Sequence, residues 1–396
     1  MAERWSNWSG SVQCEPAEIT RPGSEAEVAA VVRRAAESGR EVRVAGSGHS
    51  FQPLCATGGV LVSLASLAGI ESVDANSRQA TIRAGTVLHD LGVALHAHGL
   101  ALENLGDVDV QALGGALGTG THGTGRALGN LSSRVVALRV VGADGGVSEW
   151  SADEGAEALR AGRVSLGALG IVVAARLALV PAYRLHERVR RGPVEPVLAD
   201  LEEHVAENRH FEFFYFPRHD FAEVKTLNPT DAEPGDLPDA KGERIGWSAE
   251  ILPSVREERF NEMEYAVPAA AGPACFAAAR ERLRSRHPDV VWPVEYRTLA
   301  ADDAMLSQAH GRDSVTISIH RDGAKSFREV FADLEAVFRD HEGRPHWGKI
   351  HTRGADDLAK LYPDWERFLA LRRRLDPDGR FLNPHLRHLF GIGNVG

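Results

Sequence analysis

The sequence predicts a mixed α+β chain built as two units, and three observations lead there. Its 396 residues, 43% hydrophobic and 25% charged, are enough for two cores of ordinary globular composition. In the first part helical spacing alternates with short apolar strands: Val28, Val31, Val32 and Ala35 share a helical face, and Val42-Arg43-Val44-Ala45 follows as a strand. Past about residue 182 glycine thins out, and aromatic strands such as Phe211-Glu212-Phe213-Phe214-Tyr215-Phe216 mix with charged helices.

Taken in order, Ser24 and Glu27 form a capping box that opens the first helix, and Gly39 stops it. The strand at 42–45 runs into the loop Gly46-Ser47-Gly48-His49-Ser50. Strands are then expected at Val60–Leu64 and Ala80–Ala84, and a second helix at Thr86–His98 with Gly99 as its stop. Glycines crowd the next segment, at 114, 115, 118, 120, 123 and 125, which implies close backbone contact with a partner. The run Val135–Val141 reads as a strand turning at Asp144-Gly145-Gly146, and Leu169–Val173 leads into Leu177. A first domain thus spans 1–181. A second spans 182–343 and contains a solvated acidic loop at Asn228–Lys241. The segment 344–396 regains a dense polar and aromatic motif.

Composition excludes several classes. Acidic residues outnumber Lys and Arg by 55 to 45, giving a net charge of -10, so no nucleic-acid partner is expected. Three cysteines, Cys14, Cys55 and Cys275, without CxxC spacing support neither a disulfide framework nor a thiolate metal site. The amino terminus has no apolar signal region, and no window approaches the roughly 18 apolar residues of a membrane span. A soluble cytoplasmic protein with a small-molecule partner is the expectation.

Two glycine segments suggest a nucleotide cofactor. Gly46-Ser47-Gly48 lets backbone N–H groups approach a phosphate, although a short glycine loop is also an ordinary turn, and Phe51 occupies the third glycine position of the dinucleotide fingerprint. Gly114-Gly115-Ala116-Leu117-Gly118-Thr119-Gly120-Thr121-His122-Gly123 spaces hydroxyls among amides and can line a pyrophosphate; its alternative is a flexible linker. Glu295 and Arg297 alternate on a strand and so share a face, as a surface ion pair or as a substrate clamp. Lys349 in His346-Trp347-Gly348-Lys349 is either a surface charge or a desolvated active-site cation. His346 and His351 lack a third ligand at recognisable spacing, so no metal is expected.

The glycine loop around His49, together with Gly118-Thr119-Gly120-Thr121-His122-Gly123, resembles the FAD domain of the vanillyl-alcohol-oxidase flavoprotein superfamily. Glu295-Tyr296-Arg297, Gly311-Arg312-Asp313-Ser314 and Arg344-Pro345-His346-Trp347-Gly348-Lys349 resemble its sugar-lactone and alditol oxidase branch, most closely the gulonolactone and arabinonolactone oxidases. The likeness runs nearly end to end, to Asp376-Pro377-Asp378-Gly379-Arg380-Phe381-Leu382-Asn383.

The resemblance implies a two-domain α+β flavoprotein, an FAD-binding domain plus an α/β cap domain, with the C-terminal segment returning to the active site. It implies FAD held covalently through His49, with Val44, Ala45, Gly46, Ser47, Gly48, Ser50, Gly106, Asp107, Gly114, Gly115, Gly118, Thr119, Thr121, His122, Gly170 and Ile171 around the cofactor. Glu295, Arg297 and Lys349 are then catalytic and with Asp107 meet the substrate; Ser318 and His320, two apart on the strand after Arg312-Asp313, are expected by alternation to face the substrate pocket as well. The implied reaction takes hydride from a carbinol carbon of an aldonolactone to flavin N5, with molecular oxygen reduced to hydrogen peroxide. An alditol substrate, or a dehydrogenase with another electron acceptor, stays open. Gly106 stands where similar enzymes gate oxygen, which favours an oxidase. Asp107 departs from the serine usual there, putting a carboxylate beside the flavin.

Overall fold

In the computed structural model, residues 3–236, 241–254 and 258–393 are described. Ser24 accepts the Glu27 amide at 3.3 Å and opens the helix Glu25–Glu37. The capping box is half formed, because the Glu27 carboxylate reaches past Ser24 to the amide of Gly23 at 2.8 Å. Gly39, at φ +64, ends the helix. The predicted apolar face packs Val28, Val31, Val32 and Ala35 onto two sheets at once. One is a three-stranded parallel sheet in the order Glu18–Thr20, Val60–Ser63, Val42–Ala45. The other is a five-stranded antiparallel sheet in the order Val147–Ser151, Val135–Val141, Ile171–Ala178, Gln79–Arg83, Ile70–Asp74.

The second helix is shorter than its pattern, Leu88–His96, because Thr86 turns its hydroxyl back to the Arg83 carbonyl at 2.7 Å and Val87 stays extended. The glycine cluster is not one loop. Its first half is the helix Leu113–Thr119, closed by Gly120 in the left-handed region.

Strands from Arg184 onward form one eight-stranded antiparallel sheet. Its order is Glu243–Trp247, Arg184–Pro193, Phe221–Thr230, His210–Phe216, Val294–Leu299, Ser314–Asp322, Phe260–Pro268, Arg344–Pro345. The expected acidic loop at Asn228–Lys241 begins later, since its strand runs on to Thr230, and residues 237–240 lie outside the described ones. One face of the sheet is apolar and covered by the helices Gly272–Arg286 and Arg328–Asp340, through Phe213, Tyr265, Tyr296 and Ile317 against Phe276, Leu283, Leu334 and Phe338. The opposite face carries acids and bases that are buried all the same. Among the described residues no helix is long and apolar enough to cross a membrane.

Candidate active site

Two cavities meet at His49. The smaller, about 310 Å³, is walled by Val44, Ala45, Gly46, Ser47, Gly48, His49 and Ser50 on one side and by Gly114, Gly115, Gly118, Thr119, Gly170 and Ile171 on the other. The larger, about 970 Å³, holds Gly106, Asp107, Thr121, His122, Glu295, Arg297, His320 and Lys349. His49, Ser50, Gln111 and Thr119 line both, so a ligand extending from one to the other passes the imidazole.

The smaller cavity fits FAD. A Cβ built at Gly115 or Gly118 meets nothing within 4 Å, so these helix positions face open space rather than protein. Gly123 behaves differently: its Cβ would stand 2.2 Å from the Leu105 carbonyl, so here the glycine cluster accommodates the chain itself. Arg43, on the cavity wall, is a residue the sequence reading passed over. Its guanidinium is buried and donates to the carbonyls of Leu54 at 2.8 Å, Leu166 at 2.7 Å and Gly167 at 3.0 Å. Burial pushes its pKa down to about 10. The signal was there, one arginine inside the apolar strand at 42–45, but nothing local says which carbonyls it ties together.

The polar face of the eight-stranded sheet forms the other wall. Glu295 and Arg297 lie on the same face of the strand Val294–Leu299, as their spacing requires, and pair at 2.9 Å with both side chains nearly sealed from solvent. Ser318 lies across from Glu295 and also across from Glu264 on the next strand, while Glu262 faces His320. Arg297 therefore reaches Glu264 as well, at 3.2 Å. Burial would lower the Arg297 pKa, but Glu295, Glu264, Asp107 and Glu212 together raise it, so the guanidinium stays charged. His320 lines the cavity, its Nδ1 2.8 Å from the Pro293 carbonyl. Ser318 does not reach the wall; its hydroxyl donates to Glu264 at 2.8 Å.

His122 belongs to this larger cavity and not to the glycine cradle. Its Nδ1 faces the Gly123 carbonyl at 2.8 Å and its Nε2 faces Glu264 at 2.7 Å, so both ring nitrogens are engaged by the protein. Burial alone would raise the Glu264 pKa, yet His122, His346 and Arg297 hold it well below the usual carboxylate range. His122, Glu264 and His346 present ligand atoms within 4.8 Å of one another, a group no spacing rule reveals. With His122 Nε2 already on Glu264, and His346 Nδ1 accepting the Gly348 amide at 3.0 Å, its nitrogens and carboxylate are taken up in hydrogen bonds within the protein.

The turn His346–Lys349 fastens the acidic strand to the His49 loop. His346 N donates to the Glu264 carbonyl at 3.0 Å and Ile350 N to that of Glu262 at 2.8 Å, while Phe51 N donates to the Gly348 carbonyl at 2.7 Å. Trp347 anchors the turn in the core through its indole N–H, 2.6 Å from the Leu306 carbonyl. Lys349 then extends over the Phe51 ring, 5.4 Å from its centroid, into an ion pair with Glu262. Burial would raise the Glu262 pKa, but the charges of Lys349 and His320 bring it below the ordinary value. His49 stacks on Trp8 with centroids 5.2 Å apart, and burial followed by the Lys349 charge lowers its pKa to about 4.

Besides Arg43, sequence reasoning missed Trp8, Glu262 and Glu264 among the residues of the site. The two acids alternate in Phe260-Asn261-Glu262-Met263-Glu264-Tyr265 as Glu295 and Arg297 do, a pattern that reads equally as a half-exposed strand.

Residues 175–246 and 239–389 match the family described as D-arabinono-1,4-lactone oxidase, and residues 16–151 match an FAD binding domain. An L-gulono-1,4-lactone dehydrogenase of Mycobacterium tuberculosis is 39% identical over 99% of this chain and 100% of its own. An L-gulonolactone oxidase of Mus musculus is 31% identical over 98% of each chain. Among solved structures, a cholesterol oxidase from B. sterolicum superposes with a TM-score of 0.87 over 98% of this chain and 96% of that one, at 17% identity.

Proposed function

Because the chain belongs to the D-arabinono-1,4-lactone oxidase family, we propose that it is an FAD-dependent oxidoreductase of an aldonolactone of the gulono- or arabinono-1,4-lactone type, with oxygen as electron acceptor. The observation that carries this reading is the junction at His49, where a cradle fitted to FAD opens into a cavity holding a buried Glu295–Arg297 pair. We assign the cradle to an FAD domain of residues 1–181 and the first seven strands of the eight-stranded sheet in chain order, Arg184 to Asp322, to a cap domain of 182–343; the eighth, Arg344–Pro345, belongs to the segment 344–396. The segment 344–396 closes the site through the His346–Lys349 turn.

FAD, when bound, supplies a two-electron acceptor ring. Glu295 accepts a hydrogen bond from the substrate hydroxyl and so orients the carbinol carbon. Arg297 and Lys349 put fixed positive charge where negative charge develops, in a pocket whose Trp8, Phe51 and Phe260 walls exclude water. Its ion pair with Glu262 assigns Lys349 to charge stabilisation rather than proton abstraction.

Covalent attachment through His49 belongs to the same reading. A ring whose pKa is near 4 is neutral at physiological pH and offers the nitrogen lone pair that a bond to the flavin 8α carbon requires. Acid-precipitated protein should keep its yellow colour, and the His49→Ala variant should release it; colour lost to the supernatant from the unaltered protein overturns the attachment.

The test of function is anaerobic flavin bleaching by L-gulono-1,4-lactone and D-arabinono-1,4-lactone, with xylitol as the open-chain comparison. Bleaching by xylitol alone makes the protein an alditol oxidase. A second reading, a dehydrogenase with another acceptor, is favoured by the name of the 39% identical relative. Gly106 bears on it, since a Cβ there would come 3.1 Å from the His122 carbonyl and crowd the cavity wall. Rapid reoxidation of the reduced protein in air supports the oxidase; persistent reduced flavin under oxygen establishes the dehydrogenase.

A further inference from the structure

From Arg297, charged side chains continue along the same face of the sheet with alternating sign, as far as Arg244, which again lines the larger cavity. Arg244, at the rim, clasps Glu187 at 2.6 and 3.0 Å. Lys225 lies 3.8 Å from Glu187 and 3.0 Å from Glu212. Glu212 pairs in register with Lys225 on one neighbouring strand and with Arg297 on the other, so all three side chains share a face. Glu187, Lys225 and Glu212 are 8%, 11% and 2% exposed, and none of them lines the cavity. A buried row of this kind is expensive to desolvate, and a hydrophobic row packs as well.

The geometry places a carboxylate where it competes. Oxygens of Glu212, Glu295 and Asp107 lie within 4.8 Å of one another, so Glu212 and Glu295 stand close enough to contest a single guanidinium. Lys225 gives Glu212 a cation of its own. Arg297 is then left to Glu295 at 2.9 Å and Glu264 at 3.2 Å, in the position that faces the cavity.

We propose that Lys225 and Glu212 are positioning residues for the reaction: Lys225 neutralises Glu212 and thereby keeps Arg297 directed into the cavity. This rests on the assignment of Arg297 as a catalytic residue. Removing Lys225 alone frees Glu212 to draw Arg297 sideways along that face, away from Glu295, whereas removing both charges restores the balance. The prediction is therefore a rescue of reduction rate and flavin potential together in the folded protein; a merely structural pair regains stability in the double variant but leaves the potential unmoved throughout.

The experiment compares FAD-loaded unaltered protein with Lys225→Met, Glu212→Gln/Lys225→Met and Lys225→Arg, by anaerobic stopped-flow reduction with L-gulono-1,4-lactone and by photochemical titration of the flavin midpoint potential. Lys225→Met should slow reduction by 10- to 100-fold and lower the potential. The double variant should recover to within about threefold of the unaltered rate, and Lys225→Arg should match it. The proposal is overturned if Lys225→Met keeps the unaltered rate and potential, or if the double variant is no faster than the single one. If Lys225→Met does not fold, the double variant and Lys225→Arg decide: a loss of rate in both overturns the proposal, and near-unaltered rates in both support it. If no lactone reduces even the unaltered protein, the functional reading fails by itself, and the potentials still report whether Lys225 and Glu212 control Arg297.

Discussion

Lys349 and Glu262 show how a motif residue acquires its role from one that carries no motif. His346-Trp347-Gly348-Lys349 marks the lysine in the sequence, but only the pairing of Ile350 N with the Glu262 carbonyl brings that acid under its ammonium. A lysine held this way supplies charge, and a permanent cation of similar reach replaces it in part. Lys349→Arg should therefore keep about a tenth or more of the flavin reduction rate, and Lys349→Met should lose about 100-fold, as expected for one fixed charge in a water-poor site. Single-turnover reduction across a pH series checks this. If arginine is as poor as methionine, Lys349 is the proton acceptor. His49 was legible from its own loop, because a histidine between small residues after a strand is a local pattern. Glu262 was not, because its meaning lies 87 residues away along the chain.

The elements divide in the same way. The helix Leu113–Thr119 presents Gly115 and Gly118 to the cradle with open space ahead of them, and alanine is about 1 kcal/mol better than glycine in a helix interior. Gly118→Ala should leave the thermal stability of FAD-free protein unchanged or slightly higher while reducing the fraction of protein that carries flavin. Gly123→Ala should lower stability with or without flavin, since its Cβ collides with the Leu105 carbonyl. Melting temperature and the visible-to-ultraviolet absorbance ratio of the two variants separate the effects, and a Gly118→Ala protein that retains full flavin content removes this helix from the cradle wall. Glycine density signalled close approach, which the structure shows at Gly123 against the chain itself; it did not distinguish that from the open positions at Gly115 and Gly118. Strand alternation likewise placed Glu295 and Arg297 on one face. It could not supply Glu264, which meets Arg297 only because the strands Phe260–Pro268 and Val294–Leu299 both pair with Ser314–Asp322.

Across the whole molecule, the burial that builds the site leaves several histidines uncharged in the folded chain. Burial is the first cause in each: it takes His346 and His351 to about 3, and His210 and His385 to about 4, from 6.5. In the unfolded chain the same rings take up protons as the pH falls through about 6.5. Below that pH the unfolded state binds more protons than the folded one, so stability declines with acid, by up to about 1.4 kcal/mol per pH unit for each ring, until the folded rings titrate near pH 3 to 4. Glu262 and Glu264 act in the same direction at lower pH. Their folded pKa values are depressed, so the stability they contribute above about 4.5 is lost as they are protonated. Melting temperature should thus fall from pH 6.5 to pH 4.5, the interval in which these buried rings take up protons only in the unfolded chain. His351 and His385 lie outside the larger cavity, and His385 adds to the lowering at His351, so a His351→Gln/His385→Gln variant tests the origin of the slope without touching the residues assigned to catalysis. That variant should melt with a shallower dependence over the same interval; a dependence as steep as that of the unaltered protein places the acid sensitivity in the carboxylates instead.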